Sequence, residues 1–393
     1  MPEFSTNDVP DYVKVSTKYN YTMYNLESEY IPNFNLRNRI YRSAIVSGNQ
    51  LLALAPSKSL SNDVFQDAVP EPHHFSATEI IEGTMINMFW DPNGECWEIA
   101  TKKGIGGNYY FFSSGLDEPE QKTFRQMFLE AFVPLNNLSF DKSYSYTFVL
   151  QHPCNHIVLM VDAPAVYFVH SYKIDKTTNQ YSYVNPRVHP NYQDFVMLGV
   201  KFPKEFSATD NLVNDVQTAL SNPTNDYRLV GYMVTDQSNG FRTAYYSKKY
   251  LEIKCLRGNN PNLHYQYLML RKIGKVSEFL QYFPIYRKHF NQFFKHFRLF
   301  SERIYKLYWE VHVKKTLQKT DLTNKQDRFF VEKLHYDVFL PRHKEDAKFF
   351  INRKIVSEFL DGENMMILGG RSPPMTPSLF GGIYFYKRGY LFL

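Results

Sequence analysis

From Thr84 to Phe89 the chain alternates, with Thr84, Ile86 and Met88 set against Met85, Asn87 and Phe89, which is the period of a β-strand. The turn residues Asp91-Pro92-Asn93-Gly94 follow, then a second strand from Trp97 to Ala100, so this stretch predicts a hairpin. Glu82-Gly83 stands at its entrance and Lys102-Lys103-Gly104-Ile105-Gly106-Gly107 at its exit. The exit loop lacks a Gly-Lys-Ser/Thr ending and a following helix, and reads as a turn between strands. RSAIVSGNQLLALAPSKSL predicts two strands around Ser47-Gly48-Asn49. SYSYTFVLQHPCNHIVLMVDAPAVYFVHSYKI predicts paired strands broken at Gln151-His152-Pro153 and at Pro164, and another strand is expected near Phe195 to Val200.

Helical spacing appears first in Phe124, Met127, Phe128, Ala131 and Phe132, and again in Leu212, Val213, Val216 and Leu220. It dominates from Phe279 onward, where Phe279, Phe283, Tyr286, Phe290, Phe293, Phe297, Phe300, Ile304 and Leu307 recur at steps of four and three. Pro284 lies near the start of this seam, where a helix tolerates it. DRFFVEKLHYDVFL, before Pro341, and DAKFFINRKIVSEFL add further helices. The pattern predicts an α+β protein: a loose polar arm over residues 1–34, an antiparallel domain over 35–270, a mainly helical domain over 271–370 and a Pro/Gly/aromatic tail over 371–393.

Composition narrows the class. A hydrophobic fraction of 44% beside 21% charge, in 393 residues, is that of a globular chain with an ample core. The net charge of +6 is mildly basic. The seam's outer face adds Arg287, Lys288, Lys295, Arg298, Arg303 and Lys306, with Glu302 and Glu310 the main exceptions, which is either a solvated face or a contact for RNA, DNA or an acidic protein. Cys96, Cys154 and Cys255 are too widely spaced for a metal site and fit a reducing compartment. The adjacent His73 and His74 point apart in an extended chain and are assigned no site. No signal-peptide pattern and no run of 18 apolar residues is found, so no membrane span is expected and the chain is read as intracellular, cytoplasmic or particle-associated, and not secreted.

The hairpin also carries a resemblance. A Lys-x-Asp/Glu-Gly signature between strands marks the covalent nucleotidyltransferases, and Glu82-Gly83 followed by TMINMFWD and WEIATKKGIGG resembles the RNA ligases related to that of phage T4, particularly ligase-like proteins of large DNA viruses. Thr147 to Val158 is similar to the family's third motif, and VGYMV, the Ser238-Asn239-Gly240 turn and the run to Tyr250 are similar to its late strand pair. The resemblance implies a ligase-like antiparallel domain followed by a helical one, with a nucleotide pocket at Lys58, Glu82, Gly83, Lys102 and Gly231. For Lys58 an exposed loop lysine is the competing reading.

The departures fall on the chemistry. Ile80 stands where the family's nucleophilic lysine would be, Val149 and Val230 where its acids would be, and Ala244 and Tyr246 where its phosphate lysines would be. Lysine adenylation needs an amine of lowered pKa in line with a phosphate whose charge is offset by cations and metal. The expectation is therefore a vestigial pocket with no catalytic residue, no metal and no cofactor. Such a chain would serve as a structural or interaction component, as a virion protein among viral structural partners or as an RNA- or DNA-binding protein of a large DNA virus. The alternative is an active ATP- and Mg²⁺-dependent RNA ligase in which Lys58, Lys102 or Lys103 replaces the nucleophile and Lys248, Lys249 or Lys254 supplies cations from a shifted register.

Overall fold

A computed structural model describes residues 1–7, 9–26, 36–68, 74–110, 122–132, 139–207, 211–258, 260 and 262–361. The expected tail, 371–393, and His73 lie outside them. The chain divides into two compact units, with the division after Arg257. Antiparallel sheets in the first and helices in the second make the protein α+β. Among the described residues no helix is long and apolar enough to cross a membrane.

The first unit holds three antiparallel sheets. Strands β1 (Val13–Lys18), β2 (Tyr21–Leu26), β3 (Ala44–Ser47) and β4 (Gln50–Leu54) form one in chain order. Helix α1 (Asn62–Ala68) leads to β5 (Phe75–Glu79), β6 (Thr84–Asp91), β7 (Cys96–Thr101) and β8 (Gly104–Ile105); after α2 (Phe124–Ala131) come β9 (Tyr144–Gln151), β10 (Ala165–Asp175) and β11 (Gln180–Val184). The second sheet runs β11-β10-β9-β6-β7-β8. Helices α3 (Tyr192–Met197) and α4 (Leu212–Leu220) precede β12 (Gly231–Asp236) and β13 (Arg242–Tyr246), which join β5 in the third sheet, ordered β13-β12-β5. Helix α5 (Lys248–Arg257) ends the unit.

The six-stranded sheet is covered on both faces. Ile86, Met88, Trp97, Ile99, Tyr146, Phe148 and Phe168 pack under α2 and α3 through Phe124, Phe128 and Phe195. Phe89 and Ala100 on the other face meet Met23, Ile45, Leu52 and Ala53 of the first sheet. In β10 the parity changes midway. The register with β9 slips between Phe168 and His170, a β-bulge, so Val166 and Phe168 join the helix-covered core while Tyr172 and Ile174 join the core of the first sheet.

Three expectations are corrected. Residues 1–34, expected as a loose arm, include β1 and β2, and Phe4 is 3% exposed between the rings of Tyr24 and Tyr41. Tyrosines that read as polar there bury their rings, which hid the strand pattern. The strand expected near Phe195 to Val200 is helix α3; so short an apolar run fits either period, and Phe195 settles into the aromatic core. Lys248, Lys249 and Lys254 stand on helix α5, so a shift of strand register does not bring them into the third sheet.

The second unit carries α6 (Leu263–Lys272), α7 (Val276–Tyr282), α8 (Arg287–Tyr308), α9 (Lys325–Lys333), α10 (Leu340–Glu345) and α11 (Arg353–Asp361). The phenylalanine seam survives, but as two helices: a 3₁₀ turn, Pro284–Tyr286, separates α7 from α8 because proline has no N–H to continue the ladder. Phe279 then stacks on Phe290 with centroids 5.0 Å apart. Pro341, expected beyond a helix end, starts α10.

Two glycines are set by close packing. A Cβ on Gly231, whose φ is +149°, would lie 2.1 Å from the Tyr245 carbonyl oxygen, and one on Gly83 would lie 2.4 Å from that of Leu150. Gly231→Ala is expected to lower unfolding stability by about 3 kcal/mol, read as a shift in the urea midpoint.

Candidate functional site

Ile80-Ile81-Glu82-Gly83 joins β5 to β6 across two sheets. Ile80 is 6% exposed, and its N–H donates to the Gly231 carbonyl at 2.9 Å. The position expected for a nucleophile is thus an apolar side chain at the margin of the third sheet. Gly83 passes so close to β9 that Val149 and Leu150 leave no room for a side chain.

Glu82 is buried, and both of its carboxylate oxygens accept hydrogen bonds. One carboxylate oxygen accepts from the backbone N–H groups of Val158 and Leu159 at 2.9 and 2.8 Å, and the other accepts from the Tyr250 hydroxyl at 2.7 Å. Gln151 donates its amide to the Glu82 carbonyl at 2.9 Å. Burial raises the Glu82 pKa, while these hydrogen bonds and the charge of Lys254 act the other way.

On β13 the side chains of Arg242, Ala244 and Tyr246 share one face, while those of Thr243 and Tyr245 share the other. Tyr245 packs into the cluster of Leu60, Phe65 and Val216. Tyr246 instead lies parallel to the ring of Tyr250, with centroids 6.5 Å apart. The two positions expected for phosphate lysines therefore offer no cation.

Cations gather nearby from other segments. Arg39 donates to the carbonyls of Lys58 and Ser59 at 3.1 and 2.8 Å, Arg42 to that of Pro56 at 3.3 Å and Arg242 to that of Ser57 at 3.3 Å, so three arginines strap the loop that carries Lys58. Lys58 is half-buried, not an exposed loop lysine. Burial and the charges of Arg39 and Arg42 lower its pKa. Burial, with Arg42, Lys103 and Lys58, brings Lys102 down to about 8. Burial, with Arg242 alongside, brings Arg42 down to about 9, and its Nη2 has no hydrogen-bond partner among the described residues.

His170, brought to this side by the bulge, is 2% exposed, and its Nε2 likewise has no partner. Burial and the charges of Arg242 and Arg42 hold its pKa well below the ordinary histidine value. Besides burial, Arg242 and the tyrosines 246 and 172 act on Arg42, and the tyrosines 172, 246 and 183 act on Arg242; no carboxylate is among them. Like charges packed this way favour an anion. Among the described residues no group of three His, Cys, Asp or Glu could hold a metal ion, and the three cysteines are free.

The structure thus brings Glu82, Gly83 and Gly231 together through the Ile80 segment, and Lys58 and Lys102 together beside Arg42. Sequence reasoning missed Arg39, Arg42, His170 and Arg242. Arg242 had a signal, since it lies two residues before Ala244 and so on the same strand face; His170 had none, because its side depends on the bulge. In the second unit Arg287, Lys288, Lys295, Arg298 and Lys306 are exposed along α8. Arg303 pairs with Asp327 at 2.9 Å and does not belong to that free stripe.

No protein-family model and no curated protein matches the chain. Solved structures do. A putative ATP-dependent DNA ligase from Aquifex aeolicus aligns over 92% of this chain and 86% of its own, at 10% identity and a TM-score of 0.40. Two structures of a Naegleria gruberi RNA ligase with AMP and Mn align over 50% and 53% of this chain and 57% and 64% of theirs, at 12% and 11% identity and TM-scores of 0.34 and 0.35.

Two outcomes are expected. Glu82→Ala leaves three buried donors unpaired and costs about 3 kcal/mol or more, whereas Tyr250→Phe costs about 1–2 kcal/mol, both measured by urea unfolding. For His170 the folded pKa is depressed, so its contribution is complete above the ordinary value near 6.5 and is lost as pH falls below it. The thermal midpoint should fall between pH 7.5 and 5, and His170→Leu should reduce that fall.

Proposed function

We propose that the first unit is a ligase-like module that has lost lysine adenylation and acts by binding nucleic acid, with Lys58 and Lys102 meeting the phosphates and the buried Arg42 and half-buried Arg242 adding positive potential behind them. The observation that carries this reading is the state of the Ile80–Gly83 segment. Ile80 has no amine, and both oxygens of the Glu82 carboxylate already accept hydrogen bonds, from Val158 and Leu159 and from Tyr250. The residues do not fit magnesium-assisted attack on ATP: valines occupy positions 149 and 230, and among the described residues no group of three His, Cys, Asp or Glu could hold a metal ion. Of the roles that the sequence leaves open, particle component and nucleic-acid binder, the cationic cluster favours the second. The stripe on α8 offers a further set of exposed cations, reaching about 28 Å from Arg287 to Lys306.

One observation favours the alternative of an active ATP-dependent RNA ligase. Lys102, at about 8, carries an amine that is partly neutral near physiological pH, as a displaced nucleophile requires. Incubation with radiolabelled ATP and Mg²⁺ followed by a denaturing gel is expected to show no covalent label. A label that Lys102→Arg abolishes would overturn the reading.

Filter binding of single-stranded RNA across a salt series tests the binding itself. Affinity should fall steeply with salt, and the double variant Lys58→Gln, Lys102→Gln should bind about tenfold more weakly, with a salt slope shallower by about 0.7 per lost phosphate contact. A flat salt response removes the proposal.

A further inference from the structure

Each of α8 and α9 runs into a π-helical segment, Trp309–Val313 and Leu334–Phe339 respectively. Such segments add a residue to a turn, re-aim the side chains beyond it and recur at functional sites. Here they bring His312 and His335 face to face, with ring centroids 3.8 Å apart and planes 10° from parallel. Phe339 continues the stack at 5.2 Å from His335 and 19°, and His343 follows at 4.9 Å from Phe339 and 18°. Burial, aided by the charges of His335 and Lys319, lowers His312 to about 4, and His335 is lowered by burial and Lys319, so both rings are uncharged at neutral pH.

Beside the stack lies a cavity of about 230 Å³ lined by Tyr308, Trp309, His312, His335, Phe339 and Phe350, among others. Its walls are mostly flat rings, but they include polar atoms. Trp309 Nε1 and His312 Nε2 are buried and have no hydrogen-bond partner among the described residues. Indole nitrogen is a donor only, so it calls for an acceptor. The mouth is open at Val313 and Phe350, which are 50% and 64% exposed.

We propose that this cavity binds a nucleobase, presented either by a free nucleotide or by a single strand. Aromatic walls and nearly parallel rings favour a planar π-system over an aliphatic chain. The lining is mostly apolar with a small polar share, which fits a flat heteroaromatic ring better than a charged group. The space is ample, since a cavity of about 150 Å³ accepts benzene. Lys314 and Lys315 are exposed and follow Val313 of the lining directly in the chain. The proposal is independent of the cationic cluster in the first unit.

Equilibrium dialysis of the full chain against radiolabelled adenosine tests it. Adenosine is uncharged, so the cationic cluster gives it no electrostatic attraction. Saturable binding in the submillimolar range is expected, displaced by AMP but not by ribose 5-phosphate. Phe350→Ala, at an exposed rim position that leaves folding intact, should weaken binding about tenfold, the scale of one lost stacking contact. Val313→Trp, which narrows the mouth, should abolish it. A short oligoadenylate that binds more tightly than AMP identifies a single strand as the source, and equal affinity identifies a free nucleotide. No saturation by about 1 mM, or adenosine binding unchanged in both variants, overturns the proposal.

Discussion

A single buried carboxylate, that of Glu82, joins the parts of the first unit. Its oxygens hold the backbone at Val158 and Leu159 and the hydroxyl of Tyr250 on α5, while its own carbonyl receives the amide of Gln151 at the end of β9. Desolvating a carboxylate costs several kcal/mol, and charge-assisted hydrogen bonds of about 1.5–3 kcal/mol each offset it only when the donors are all in place. The neighbours are correspondingly constrained: Gly83 lies against Leu150, and Ile80 is tied to Gly231, which packs against Tyr245.

The adjoining cluster has the opposite character. Glu82 accepts from three donors, whereas burial lowers the pKa of Arg42, Arg242 and Lys58, with Arg242 adding to the effect on Arg42 and Arg39 and Arg42 to that on Lys58, and Arg42 and His170 each keep a buried polar atom unpaired among the described residues. Tyr246 stands between the two regions, parallel to Tyr250 and within the field of Arg242 and Arg42. The Glu82 carboxylate meets its donors within the protein, while the cationic cluster has no carboxylate among the groups that act on its two arginines.

The second unit depends on aromatic packing of a different kind. Phe279, Phe290, Phe293 and Phe297 build a ridge along α7 and α8, and Arg353 pairs with Glu302 on α8 at 2.8 Å. Beyond α8 the regular spacing stops. The π-helical segments change which residues face inward, and the histidine stack and its cavity arise at that change.

Strand and helix periods were written plainly in the chain: β6, β7 and β9, the helices α2 and α4, and the phenylalanine seam follow from which side chains recur on one face. The identity of residue 80 was equally plain, since an isoleucine carries no amine in any fold. The sequence also marked Glu82, Gly83 and Gly231, though their resemblance pointed to nucleotide chemistry and not to the packing role they play. Only the tertiary structure decided that Glu82 is consumed by partners as distant as Val158 and Tyr250, and that Arg42, Lys58, His170 and Arg242 gather. Periodicity specifies a face within one element. Proximity between segments more than a hundred residues apart depends on register, on one bulged residue in β10 and on which sheets pack together, and none of these is a local property of the chain.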